Sequence, residues 1–135
     1  MIRPLEPADR PTVRALQSHL QYADPDCIDA AVRGPFLGRV AVACDWLVGY
    51  ALAFPGDPAT LTELVVAPDA RREGHGRELV ESVVSAIDTD RIVVTTPTGN
   101  RGVRRFYRRL GFECDATCDG FYADGADALR LARRE

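Results

Sequence analysis

Arg71-Arg72-Glu73-Gly74-His75-Gly76-Arg77 joins two regular elements and has the makings of an anion site. Before it, Leu64-Val65-Val66 reads as the end of a buried strand. After it, Leu79, Val80, Val83, Val84 and Ile87 recur at three- and four-residue spacing, the mark of one apolar helix face. No Ser, Thr, Asp or Asn stands where a helix usually caps its own free N–H groups. Those donors, the positive end of the helix dipole and two glycines facing a ligand suit a phosphate, held by the backbone of Arg72 to Arg77. An ordinary strand-to-helix turn can use the same glycines, so this segment alone does not decide.

A second segment adds chemistry. In Asn100 to Phe112, the residues Val103, Phe106, Tyr107 and Leu110 share one helix face, and Gly111 stops the helix. Together the two segments resemble the GNAT superfamily of acetyl-CoA-dependent N-acetyltransferases. Its pyrophosphate loop, Q/R-x-x-G-x-G/A, is matched by Arg71, Gly74 and Gly76. Its later helix, N-x-x-A-x-x-x-Y-x-x-x-G-F, is matched by Asn100, Tyr107, Gly111 and Phe112, with Val103 at the small-residue position. Near the C-terminus, Phe121-Tyr122-Ala123-Asp124-Gly125-Ala126-Asp127-Ala128-Leu129 is similar to a Y-Y-x-D-G-x-D-A-φ segment (φ apolar) of protein N-terminal acetyltransferases, including the ribosomal-protein alanine type. One departure stands out. That type carries a glutamate in the strand before the motif Asn, and Thr95 holds the matching place here.

The resemblance implies an α+β, three-layer acyl-CoA N-acyltransferase fold: a mixed central sheet of about six or seven strands flanked by helices. It implies acetyl-CoA as co-substrate, with no metal. Leu64, Val65 and Val66 would lie along the pantetheine arm, where a main-chain N–H of Val65 or Val66 faces the thioester oxygen. Arg71, Arg72, Glu73, Gly74, His75, Gly76 and Arg77 would hold the pyrophosphate, and Asn100 would order the strand–helix corner or touch CoA. Tyr107 would be the general acid for the departing thiolate, or else a core ring beside Phe106. Glu63, where several such enzymes place an acidic residue, is the candidate base, its side chain facing either cleft or solvent. It is the only acidic residue the sequence places in the cleft. Phe121 and Tyr122 would wall a groove for an extended acceptor. The leading reading is acetylation of a protein or peptide α-amine. Acetylation of a small amine and a non-catalytic acyl-CoA-binding domain are the alternatives.

Composition agrees with one domain over residues 1–135. No apolar run approaches the roughly 18 residues of a membrane span, and Met1 to Glu6 has no signal-peptide core, so a cytoplasmic protein is expected. The net charge of −3 argues against general nucleic-acid binding. The run Arg101, Arg104, Arg105, Arg108 and Arg109 reads as a solvated helix face, with Arg101 or Arg105 near the CoA 3′-phosphate as the lesser option. A monomer or homodimer fits equally well. Cys27, Cys44, Cys114 and Cys118 lack zinc spacing and read as small buried thiols, the last two on one strand face.

These residues need a scaffold. Ile2 to Leu5 reads as a strand, and Asp9-Arg10-Pro11 as the capped start of a helix carrying Val13, Leu16 and Leu20. Asp24-Pro25 breaks it, and a short helix is expected from Asp26 to Val32. Val40 to Cys44 and Leu47 to Phe54 form a hairpin around Asp45-Trp46. Thr60 to Val66 and Arg91 to Thr95 are strands on either side of the first motif helix. Strands near Phe112 to Cys118 and Ala126 to Leu131 follow the second. The resulting β-α-α-β-β-β-α-β-α-β-β order rests on the resemblance.

Overall fold

The computed structural model describes residues 1–134. Seven strands form one sheet: β1 (Ile2–Pro4), β2 (Leu37–Ala43), β3 (Trp46–Phe54), β4 (Ala59–Val66), β5 (Arg91–Pro97), β6 (Glu113–Cys118) and β7 (Ala128–Arg134). Their order is β1-β2-β3-β4-β5-β7-β6. Every neighbour pair is antiparallel except β4 and β5. Four α-helices complete the fold among the described residues: α1 (Arg10–Gln17), α2 (Pro25–Arg33), α3 (His75–Ala86) and α4 (Arg101–Arg109). Among the described residues no helix is long and apolar enough to cross a membrane.

The sheet separates two apolar layers. Val13 and Leu16 of α1 and Ile28 of α2 pack on Val40, Tyr50, Leu52 and Val65. On the other face, Leu79, Val80 and Val83 of α3 and Tyr107 of α4 pack on Ala41, Ala51, Ala53 and Leu61. Strand alternation explains the division, since neighbouring residues of β2 and β3 point to opposite faces. This is the expected three-layer arrangement.

One irregularity decides which way β4 presents its side chains. Leu52 pairs with Glu63 and Ala53 with Leu61, so Thr62 is an extra residue, a β-bulge. The Thr62 hydroxyl donates to the Leu52 carbonyl at 2.9 Å and fixes the distortion. Ala59 and Leu61 before the bulge join the α3 layer, whereas Val65 beyond it joins the α1–α2 layer. Unbroken alternation would put Leu61 and Val65 on one face.

Several expectations shift on this frame. Asp9 does not cap α1 through its side chain. Its carboxylate instead accepts from both terminal nitrogens of Arg3, at 2.8 and 2.9 Å, and from the Glu6 N–H at 2.8 Å. Asp24 is the cap that forms, accepting from the Asp26 N–H at 2.9 Å and opening α2 one residue early. β2 begins at Leu37, ahead of the expected Val40, and β7 is displaced toward the C-terminus. The cysteines are not buried: Cys44 and Cys114 are exposed, and Cys27 and Cys118 half-buried. Nor do Cys114 and Cys118 share a face. A bulge at Asp115 pairs them with Leu131 and Ala128, which are three apart on β7.

Candidate active site

β4 and β5 pair only over Ala59–Leu61 and Ile92–Val94, although both strands run further. From the bulge onward they part. Glu63, Leu64, Val65 and Val66 thus line an opening whose far side is β5. Leu64 and Val66 pack toward the α3 layer and Val65 toward α1–α2. Main-chain groups along such a gap have no neighbouring strand to satisfy them and can receive an extended ligand arm.

Glu63 faces neither solvent nor the α3 layer. The bulge turns it under α1 and α2, where it is 5% exposed. Gln17 Nε2 donates to both carboxylate oxygens at 3.0 and 3.1 Å, the Tyr50 hydroxyl to Oε1 at 2.9 Å, and the Asp24 N–H to Oε2 at 3.4 Å. Burial pushes the Glu63 carboxyl above the usual value of 4.5, while the bonds from Gln17, Tyr50 and Asp24 pull the other way. A carboxylate so placed can accept a proton nearer neutral pH than an exposed one.

The phosphate-loop segment has the expected helix start. Gly74 occupies the N-cap position of α3 with φ at +87°, and no side chain caps the first N–H groups. Arg72 also has positive φ, at +65°. The loop fits a pyrophosphate on two observations: the uncapped dipole end, and a Gly74 whose missing Cβ would meet only the Glu78 Oε1 atom, 3.9 Å away. Both ring nitrogens of His75, the first residue of α3, are shielded from solvent and lack a hydrogen-bond partner. Glu73 Oε1 lies 3.9 Å from Nε2. Arg71 braces the loop itself, donating from Nε to the Val66 carbonyl at 3.2 Å.

At Gly76 the missing side chain serves packing: a Cβ there would lie 3.1 and 3.3 Å from the Phe106 ring, so this glycine lets α3 approach α4. Asn100 takes the corner role, its Oδ1 accepting from the Val103 N–H at 3.2 Å to cap α4. Nearly two turns along α4, Tyr107 is 4% exposed and wedged edge-on between Phe106 and Phe112, with ring centroids at 5.1 and 5.3 Å. Burial pushes its hydroxyl well above the ordinary tyrosine value, so it keeps its proton until a stronger base is presented.

Across the opening, two loops distant in sequence meet. Tyr22, between α1 and α2, stacks on Tyr122 with ring centroids 3.8 Å apart and planes at 10°. The Tyr22 hydroxyl donates to Asp124 Oδ2 at 2.7 Å. Phe121, 55% exposed, meets Tyr122 edge-on at 5.0 Å. Beside this contact lies a cavity of about 460 Å³, lined among others by Tyr22, Asn100 and Asp127. Asp127 borders this cavity, its Oδ1 accepting from the Gly120 N–H at 2.8 Å. Gln17 escaped the sequence reading, though it occupies a position of the Val13-Leu16-Leu20 stripe where an apolar residue belongs. Nothing local signals the role of Tyr22, whose partner Asp124 lies 102 residues away.

Residues 37–114, more than half of the chain, match the acetyltransferase (GNAT) domain family. The chain belongs to the GNAT family. Among curated relatives, N-alpha-acetyltransferase 30 of Xenopus laevis is 37% identical over 71 residues, covering 50% of this chain and 26% of that protein. An uncharacterized N-acetyltransferase of Methanocaldococcus jannaschii is 31% identical over 106 residues, 76% of this chain and 42% of the relative. The chain thus spans less than half the length of either. The fold of this GNAT chain recurs in the ribosomal-protein-S18-alanine N-acetyltransferase of Escherichia coli, with a TM-score of 0.87 at 22% identity, covering 99% of this chain and 92% of that one. It recurs also in Arabidopsis thaliana NAA60 in complex with a bisubstrate analogue, at 0.88 and 17% identity, covering 100% and 98%.

Proposed function

We propose that this GNAT protein transfers acetyl from acetyl-CoA to the N-terminal α-amine of a protein or peptide, by direct attack of the amine on the thioester. The observation that carries this reading is the gap between β4 and β5. It has the uncapped α3 start and Tyr107 on one face, and Glu63 beneath the aromatic loops on the other. An N-alpha-acetyltransferase among the relatives supports an α-amine acceptor.

Glu63, directly or through water, takes a proton from the incoming ammonium. The freed amine attacks the thioester carbon, forming the C–N bond and a tetrahedral oxyanion. A main-chain N–H of Val65 or Val66 donates to that oxygen, a contact typically worth about 3 kcal/mol in the transition state. Collapse breaks the C–S bond and Tyr107 protonates the leaving thiolate, a step in which a placed acid contributes about 10²–10⁴-fold. The second amine proton, lost from nitrogen as the amide forms, returns through water to the Tyr107 phenolate, and Glu63 releases the first to solvent. Arg72 to Arg77 hold the pyrophosphate by backbone N–H groups, with Gly74 admitting it. Phe121 and Tyr122 pack against the acceptor's first side chain. We place this activity in the cytoplasm, a reading that four free cysteines support.

A small cationic amine is the second reading, and Asp127 on the cavity favours it. A panel read by free-thiol release separates the cases. Short peptides beginning with Ala or Ser are expected to outpace spermidine and free amino acids. Spermidine leading the panel would promote the small-amine reading. CoA binding without thiol release for any acceptor would leave a non-catalytic acyl-CoA sensor.

A further inference from the structure

Glu63 is a buried carboxyl that, among the described residues, has no ion-pair partner. Gln17 reaches it from α1, Tyr50 from β3 and the Asp24 N–H from the loop before α2. The other titratable groups that act on it are Asp24 and, from α2, Cys27, neither of them a cation. The carboxylate therefore rests on neutral donors alone. In a buried setting each donor is worth more than at the surface, and each loss is felt.

Gln17 does a second thing. It is 7% exposed, a polar side chain in the apolar stripe of α1. Its Nε2 has two protons, and besides Glu63 it donates to the Asp24 carbonyl at 3.1 Å. The Asp24 N–H returns to Glu63. The loop from 18 to 24 is thus fastened at its base to the candidate proton acceptor, and at Tyr22 to the turn bearing Tyr122 and Asp124.

We propose that Gln17 and Tyr50 are positioning residues for Glu63, and that of these two side chains only Gln17 also braces, through the Asp24 carbonyl, the loop bordering the acceptor cavity. The proposal rests on the reading of Glu63 as base, but its first test does not need catalysis. Carboxyl ¹³C NMR of the full chain follows the Glu63 titration directly, with Glu63→Gln identifying the resonance. Loss of one neutral donor is expected to move the midpoint upward by roughly half to one pH unit in both Tyr50→Phe and Gln17→Met. The acid limb of kcat/KM with an Ala-first peptide should move with it. A role confined to packing would lower the rate without moving either.

The two variants should then part company. KM for the peptide is expected to rise about fivefold in Gln17→Met, the equivalent of one hydrogen bond, and to stay unchanged in Tyr50→Phe. Melting curves verify folding. If Gln17→Met does not fold, Gln17→Asn, with its amide one methylene short of both partners, replaces it. A Glu63 midpoint in either variant equal to wild type overturns the positioning role. Equal KM values overturn the loop tie. A midpoint that moves while the rate limb stays leaves the positioning intact and removes Glu63 as the base.

Discussion

Glu63 and Tyr107 lie on opposite faces of the sheet, one bonded to α1 and the other embedded in the α3–α4 layer, flanking the gap where β4 leaves β5. In the proposed mechanism the two act at separate points, Glu63 removing a proton on the acceptor side and Tyr107 delivering one on the sulfur side. Tyr107→Phe keeps both edge-on ring contacts and loses only the hydroxyl. Turnover at neutral pH is expected to drop about 10²-fold with acetyl-CoA affinity unchanged. A variant as fast as wild type would make Tyr107 a packing residue.

Glu63→Gln should behave differently. Burial raises the carboxyl above its usual 4.5, so the acid limb of the wild-type rate profile is expected above that value. Above the limb Glu63 is charged and able to take a proton; below it, protonated and idle. The loss in the variant should be largest above the limb, where Glu63 is charged and the acceptor amine is still an ammonium, and should shrink below it. A small loss, uniform across pH, would assign Glu63 a purely structural part.

The two motif glycines should also separate. Gly74 is left-handed and opens on empty space, so Gly74→Val places its branch before the free N–H groups of α3 and adds backbone strain of about 1 kcal/mol. Weaker acetyl-CoA binding by calorimetry, in a folded protein, is the expected result. Gly76→Ala presses on Phe106, the neighbour of Tyr107, and should lower melting temperature and turnover together. Adding Phe106→Leu should restore part of both. Absence of rescue would mean that Gly76 serves something other than the approach of α3 to α4.

The sequence announced the loop, α4 and most strands because each is a local pattern: an apolar stripe, a missing cap, a glycine stop. The facing of Glu63 was not local. It depends on the Thr62 bulge, which inverts the strand's alternation and leaves no mark in residue types. Gln17 did leave one, as a polar residue in an apolar stripe. Tyr22 acquires its partners only when distant loops meet, and Gly76 matched its motif while answering to Phe106.

The N-terminal strand offers a stability test with a defined pH sense. Hydrogen bonds from Arg3, then the Glu6 N–H, hold the Asp9 carboxyl below its usual 3.8 against the opposing effect of burial. A lowered value means the contribution is complete above 3.8 and fades as the pH falls through the lower folded value. Asp9→Asn is expected to cost about 1–2 kcal/mol at pH 7, for a charge-assisted pair still partly open to water. The gap between the variant and wild-type melting curves should close in strong acid. A gap that persists there would trace the loss to packing.

Acceptor choice should turn on the Tyr22–Tyr122 stack. The bond from Tyr22 to Asp124 raises the Tyr22 hydroxyl to about 12 and lowers the Asp124 carboxyl, so neither changes protonation across the neutral range. In the proposed reading the acceptor's first side chain packs beside these stacked rings. Wild type should prefer Ala-first over Leu-first peptides in kcat/KM. Tyr122→Ala removes the stack and the wall, and that ratio is expected to approach one. Tyr22→Ala should follow it. Tyr22→Phe, which keeps the ring and drops the hydroxyl, should retain most of the preference. An unchanged ratio in Tyr122→Ala would show that the stack does not border the acceptor and would send the search for selectivity to the opposite wall, at Asn100 and Asp127.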